Sequence, residues 1–456
     1  MFTSSAGKGF FSQPLFIILL IIAYGSPLFS QDTQSILNEV AEKLARRDFP
    51  AALALFDSLD PGEAEQTEIR IMRASALNSA GRPAEARAIA NGIVSREPNN
   101  TDALMILADA AALEGKDRDR RNALDRVIKA DPKHVRALTD LGNISLGSQS
   151  LRAAANYFDQ AMAADPVNGE AIVGRAMVYR YNQEYRRAEQ LFNRAAGLYP
   201  QWARPLHERA RLYKGVGYEK DAMLDLDRAK ELEPDNYWIA VDRGTTLMDL
   251  NRRSEALGEF TRAITLDPNN FLAYVYSAGL KEESGDYAGA ERDYERLSKL
   301  RPDYYFAFEG LGMLRMKNRQ WAQARDAFLD AYRQAPREYT YALLAAVNWM
   351  RAGRQTDPKQ FLAQVLRTAP RDSLDYSMLK LFHDLSGDLD VALKVDNEVN
   401  IYIKARMLFY LACYYDIRGN KTLADKYYLM VHELDRAAVP EWRLNNWIIE
   451  ERGLKF

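Results

Sequence analysis

Nine prolines recur at a fixed interval of 34 residues: Pro98, Pro132, Pro166, Pro200, Pro234, Pro268, Pro302, Pro336 and Pro370. A single globular core has no reason to keep such an interval. An array of like units, each covering the hydrophobic face of the next, requires it. With each proline at the thirty-second position, nine units run across residues 67–372. The eighth position is then always small: Ala74, Ala108, Gly142, Ala176, Ala210, Gly244, Ala278, Gly312 and Ala346. The twentieth is Ala86, Ala154, Ala188, Ala222, Ala256, Ala290 and Ala324, with Arg120 and Pro358 as exceptions. Four residues later stand Phe158, Phe192, Leu226, Phe260, Tyr294 and Phe328. Small residues let two helix backbones approach closely, and the large neighbour fills the groove between units.

Turn residues agree with this phase. Gly81, Gly115, Gly217, Gly285 and Gly353, with Asn251 in the same place, accept the left-handed conformation that closes a helix. Each spaced proline ends the second helix, because it lacks an N–H and restricts the residue before it. Two residues further on, Asn100, Asn168, Asn236 and Asn270 are placed to cap the next helix. The unit predicted is helix, turn, helix, proline turn.

This pattern resembles the tetratricopeptide repeat. That family pairs Leu-Gly with a later Ala, an aromatic residue and a Pro at this period. Here one unit carries Leu141-Gly142, Ala154, Phe158 and Pro166, and another Leu311-Gly312, Ala324, Phe328 and Pro336. The family's early Trp is replaced by Leu104, Leu138, Leu206 or Phe308. The resemblance implies an all-α fold, a right-handed solenoid of stacked antiparallel helix pairs, in which each unit touches only its neighbours. It also implies that first helices line an inner groove through positions two, five, nine, twelve and thirteen. Carried over to this chain, the candidate groove residues are Met177, Trp238, Met248, Phe306, Met313, Met316 and Met350. An apolar, Met-rich strip suits a helix or extended peptide, and ordinary inter-helix packing is the competing reading. The Lys, Asn and Arg clamp of the family's chaperone-tail binders is not reproduced: Asn143 is present, but Thr139 and Gly174 stand where its partners belong.

The array fades at both ends. Residues 31–66 form a degenerate N-terminal repeat, with Ala52 and Phe56 in register. Residues 373–456 read as divergent repeats and a capping helix. There Ala392 holds phase, Ala412, Ala424 and Tyr428 return two residues out of step, and Leu444, Trp447 and Ile448 are set to seal the last core face. Residues 1–30 read as a signal peptide or N-terminal membrane anchor. Lys8 precedes an apolar stretch from Leu15 to Ala23, too short for the roughly 20 residues of a spanning helix. Cleavage fits after Gly25 or after Ser30; the alternative is membrane association through residues 14–24.

The chemistry expected is recognition. Net charge is −2 with both signs interspersed, which gives no footprint for nucleic acid. His134, His207, His383 and His432 lie far apart in sequence and show no metal-ligand spacing, and His134 falls in a turn where it can cap. Adjacent carboxylates such as Glu282-Glu283 and Glu450-Glu451 diverge around a helix by about 100° and are solvated faces. Cys413, the only cysteine, reads as a buried packing residue. No cofactor, metal or catalytic residue is expected. The reading is a protein-binding scaffold or assembly factor of a bacterial envelope, with a protein or peptide partner. The alternatives are an accessory subunit tethering a cell-wall or secretion enzyme, and a hydrolase in the divergent C-terminal region. On the export reading, protein recovered from the envelope fraction carries a mature N-terminus at Ser26 or Gln31; N-terminal sequencing that returns intact Met1 from the cytosol overturns it.

Overall fold

In the computed structural model, residues 29–353, 358–434 and 439–454 are described. The stretch carrying Lys8 and the apolar run lies outside them. Among the described residues there is no strand, and no helix is long and apolar enough to cross a membrane. The described residues divide into two compact units, 29–239 and 240–454.

Local structure follows the 34-residue phase closely. First helices start at Thr67, Thr101, Val135, Gly169, Ala203, Tyr237, Phe271, Tyr305 and Tyr339. Thr67–Ser79 has 13 residues and its partner Pro83–Arg96 has 14, and the same lengths recur through Tyr305–Lys317 and Trp321–Gln334. The turn between partners is set by a left-handed residue. Such residues recur every 34 positions from Arg47 through Gly81 and Gly353 to Gly387, with φ between 58° and 90°. At Gly81 the turn is closed by Gly81 N donating to Asn78 O and Arg82 N donating to Leu77 O, at 3.1 and 2.9 Å. Gln149, Gln183 and Arg319 adopt the same conformation without being glycine, at φ 58°, 63° and 58°. Gly419 and Gly453 carry the ladder on, two residues early. The asparagines cap as expected. Asn100 and Asn168 accept from Ala103 N and Ala171 N at 2.9 and 3.0 Å, and His134 Nδ1 accepts from Ala137 N at 3.2 Å.

Packing between pairs turns on the aromatic at the twenty-fourth position. Phe158, Phe192, Phe260 and Phe328 are fully buried. A methyl group on Gly142 would stand 2.6 Å from the Phe158 ring, and one on Gly174 of the next pair 2.3 Å. Phe260 and Phe328 meet Gly244 and Gly312 in the same way, at 2.7 and 2.6 Å. A second device ties the proline turns. Arg126 and Arg296 donate to the carbonyls of Pro98 and Pro268 at 3.2 and 3.1 Å, and Arg194 donates to that of Pro166. These arginines share the twenty-sixth position.

In the first unit the core is a row of small clusters, each shared by adjacent helices. The second unit departs from that plan. One core runs without a break from Met313 to Ile449. At its centre is Ile401–Ile417, a helix with ten buried residues and Cys413 among them. The final helix, Pro440–Arg452, returns to the pairs that begin at Phe271 and Tyr305, and Arg443 pairs with Glu282 across 161 residues. The expectation that each repeat touches only its neighbours therefore fails in this unit, because the last helix folds back.

The Phe–Gly contact predicts a sharp contrast between glycines. Gly174→Ala should cost about 1–3 kcal/mol by overpacking, and Phe158→Leu should recover part of that loss. Gly258→Ala, in the middle of Arg253–Leu266 with open space around it, should stabilise by about 0.5–1 kcal/mol. Chemical denaturation of the variants measures both.

Candidate interaction face

On the first unit, charged side chains at the second, ninth and twelfth positions of the first helices are held in pairs, most of them across neighbouring repeats, with Glu208 at the sixth position as a shared partner. Asp109 pairs with Arg136 at 2.6 Å, and Glu170 with Arg204. Arg180 and Arg211 both reach Glu208, at 3.2 and 3.5 Å. Beside them Leu113 and Tyr181 are 56% and 51% exposed, and the Arg180 guanidinium lies 4.9 Å over the Tyr181 ring. Sequence reasoning missed these pairs. Their signal is opposite charge at helix positions that face one another across one repeat, such as Asp109 and Arg136.

Electrostatics fix the band in place. Burial pushes the Glu208 carboxyl up, but Arg211, Arg180, His207 and Arg204 together outweigh it and leave the group below its ordinary 4.5. His207 beside it is buried.

The candidate groove residues do not form one strip. Met177 is half-buried against the cluster of Ile172 and Phe192. Trp238 is half-buried, edge-on to Tyr237 at 5.1 Å. In the second unit Met248 is half-buried, and Phe306 is 47% exposed against Tyr305. Met313, Met316 and Met350 come together, but inside the core, at 1%, 3% and 4% exposure. Their thioethers are taken up by neighbours: Arg443 donates to Met313 Sδ at 3.3 Å and Asn348 to Met316 Sδ at 3.5 Å. As lining of an open groove these three are corrected to packing residues, because the C-terminal helices cover them.

The cover includes Pro440–Arg452. Of the three apolar residues expected to seal the core, Leu444 is buried, whereas Trp447 and Ile448 are half-buried. Trp447 instead meets the Tyr287 ring edge-on at 5.7 Å, with Lys317 Nζ 5.0 Å from it. Cys413 is fully buried with Tyr428 and Arg351 as neighbours, and burial pushes its thiol up to about 11. Among the described residues no group of three or more His, Cys, Asp or Glu side chains is placed to hold a metal ion.

Helix pairs of constant length, joined by alternating left-handed and proline turns, define a helical repeat protein. The tetratricopeptide repeat family matches residues 71–117, 118–169, 139–203, 241–305 and 280–337, together just over half of the chain. The chain belongs to that family. The sequence finds no match among curated proteins. Three solved structures show a likeness of fold. A tetratricopeptide repeat protein from Parabacteroides merdae is 18% identical, with 56% of this chain and 100% of that chain covered and a TM-score of 0.46. Pseudomonas aeruginosa PilF is 18% identical over 44% of this chain and 92% of its own, with a TM-score of 0.41. A chain of the APC/C hetero-tetramer Cut9–Hcn1 is 15% identical over 73% and 66%, with a TM-score of 0.46.

The Glu208 pairs predict an acid-dependent stability. A carboxylate held below its ordinary value contributes fully above pH 4.5, and that contribution is lost as pH falls through the lower, folded-state value. Glu208→Gln should therefore be less stable than the native chain at pH 7, with the gap closing as pH falls below the ordinary 4.5. Urea denaturation across pH 3–7 measures it.

Proposed function

We propose that the protein is a non-enzymatic protein-binding scaffold or assembly factor of the bacterial cell envelope, which takes a peptide or helix segment of its partner on the first-helix face of the first unit. The observation that supports this reading is the band on that unit. Charged side chains are already fixed in pairs by their neighbours, while Leu113 and Tyr181 stand exposed beside them. Preorganised polar groups around exposed apolar anchors keep the ordering cost of binding low. Paired charges favour a partner that brings its own polar groups into register over one that binds by net charge.

The envelope setting rests on the N-terminal sequence, Lys8 followed by the apolar stretch to Ala23. A scaffold working there needs no turnover chemistry. The accessory role of tethering an envelope enzyme is a special case of the same reading.

The test is capture from envelope extract, with partners identified by mass spectrometry. Leu113→Glu combined with Tyr181→Glu should abolish capture of the main partner and leave the melting temperature within a degree or two, because both side chains are mostly in water. Capture that survives this double change would move the binding face elsewhere.

A further inference from the structure

The helix Asp388–Asp396 is apolar on two sides. Val391, Ala392 and Val395 are buried in the C-terminal core. Leu389 and Leu393, one turn apart, lie on the side turned away from it and are 80% and 62% exposed. Val399, three residues past the helix, is 95% exposed. Among the described residues, three of the four most exposed large apolar side chains thus fall between positions 389 and 399. Exposed leucines scattered singly need no explanation, whereas a group of them marks a surface that another molecule covers.

The surface is held in place by its surroundings. Asn400 caps Ile401–Ile417, accepting from Tyr402 N and Ile403 N at 3.0 and 3.3 Å. Asn400 N donates to Glu398 Oε1 at 2.7 Å, and Lys404 Nζ donates to the Asp396 carbonyl at the same distance. The loop that carries Val399 is therefore tied at both ends, so its exposure is not that of a frayed terminus.

Charge selects the occupant. Beside the leucine row runs a second row, Asp390 and Lys394, also one turn apart and paired with each other at 3.2 Å. Their side chains are 71% and 52% exposed, and Lys394 also reaches Ser377 Oγ at 3.5 Å. A twofold rotation that lays this side of the helix antiparallel on a second copy sets each row against itself in reverse. Leu389 then meets Leu393 of the second copy, and Asp390 meets Lys394 of the second copy. A symmetric contact must be self-complementary in this way, and an acid and a base one turn apart on the same flank meet that condition. A lipid surface is a poorer match. Asp388, Asp390, Asp396 and Glu398 outnumber Lys394 and Lys404 around the leucines, so an anionic bilayer is repelled.

We propose that Asp388–Asp396 is the contact of a symmetric dimer, in which this helix packs antiparallel on the same helix of a second copy of the chain. It is a second helix in the repeat phase, apart from the first-helix face of the scaffold reading, and the two inferences are independent. The contact is small, which makes the dimer a weak one.

Sedimentation velocity of the full-length chain at loading concentrations up to about 100 µM reads the association. The native chain should populate a dimer in that range. Asp390→Lys should weaken it by at least about tenfold, and Lys394→Asp likewise, since each sets like charges against one another across the twofold. Both changes in one chain restore the complementarity and should restore the dimer. An equimolar mixture of the two single variants should pair more tightly than either alone. A native chain that stays monomeric overturns the proposal, as does a dimer that both single charge changes leave intact. A monomeric chain that co-floats with phosphatidylcholine vesicles, and loses them on Leu389→Ser with Leu393→Ser, assigns the patch to lipid and overturns it too. Should a charge variant lose helix content by circular dichroism, that leucine variant decides. It should be monomeric with its melting temperature unchanged, because both side chains are mostly in water; a dimer that survives it overturns the proposal.

Discussion

A large side chain wedged against a small residue is the contact on which the spacing of the helix pairs depends, and it is tightest where the small residue is glycine. Phe158 fills the volume that Cβ atoms on Gly142 and Gly174 would occupy, so it locks its own pair and the next at once. The helices at this point are as near as backbones allow, and dispersion contacts are lost steeply when such a gap opens. The alanines at the twentieth position, all buried, serve the same closeness.

The two units spend their polar residues differently. In the first, most charges pair across neighbouring repeats near water, where a pair adds little stability and much definition, and Glu208 and Asp225 are the buried exceptions. In the second, Glu441, Arg406, Arg351 and Asn445 are drawn inside with the large C-terminal core. Buried polar groups of this kind cost more to place and tie the arrangement to one geometry, since moving a single partner strands the others.

Much of the fold was legible because period and turn chemistry act locally. Asn100 and Asn168 cap, His134 caps, and Gly81 closes its helix where the 34-residue phase puts them. Gln149, Gln183 and Arg319 were not legible as left-handed residues, since nothing in their side chains favours that conformation. The hydrogen bonds of the surrounding turn impose it. The candidate strip fared differently again. Repeat position told which helix face Met313, Met316 and Met350 occupy, but not what lies on it, and the cover comes from a helix more than 80 residues later in the chain. The arginines of the twenty-sixth position were in plain view at Arg126, Arg194 and Arg296 and were passed over because their acceptors are backbone carbonyls.

Those strained turns, with the one at Arg47, carry a further meaning. A non-glycine residue held left-handed costs roughly 1–2 kcal/mol, and in a row of small clusters that strain cannot be spread through a common interior. It stays where it is made. Arg47, Gln149 and Gln183 thus mark, within the first unit, the turns at which the backbone parts first. A protein built from nearly identical pieces is in this way given an order of opening, written in the residues that depart from the rule.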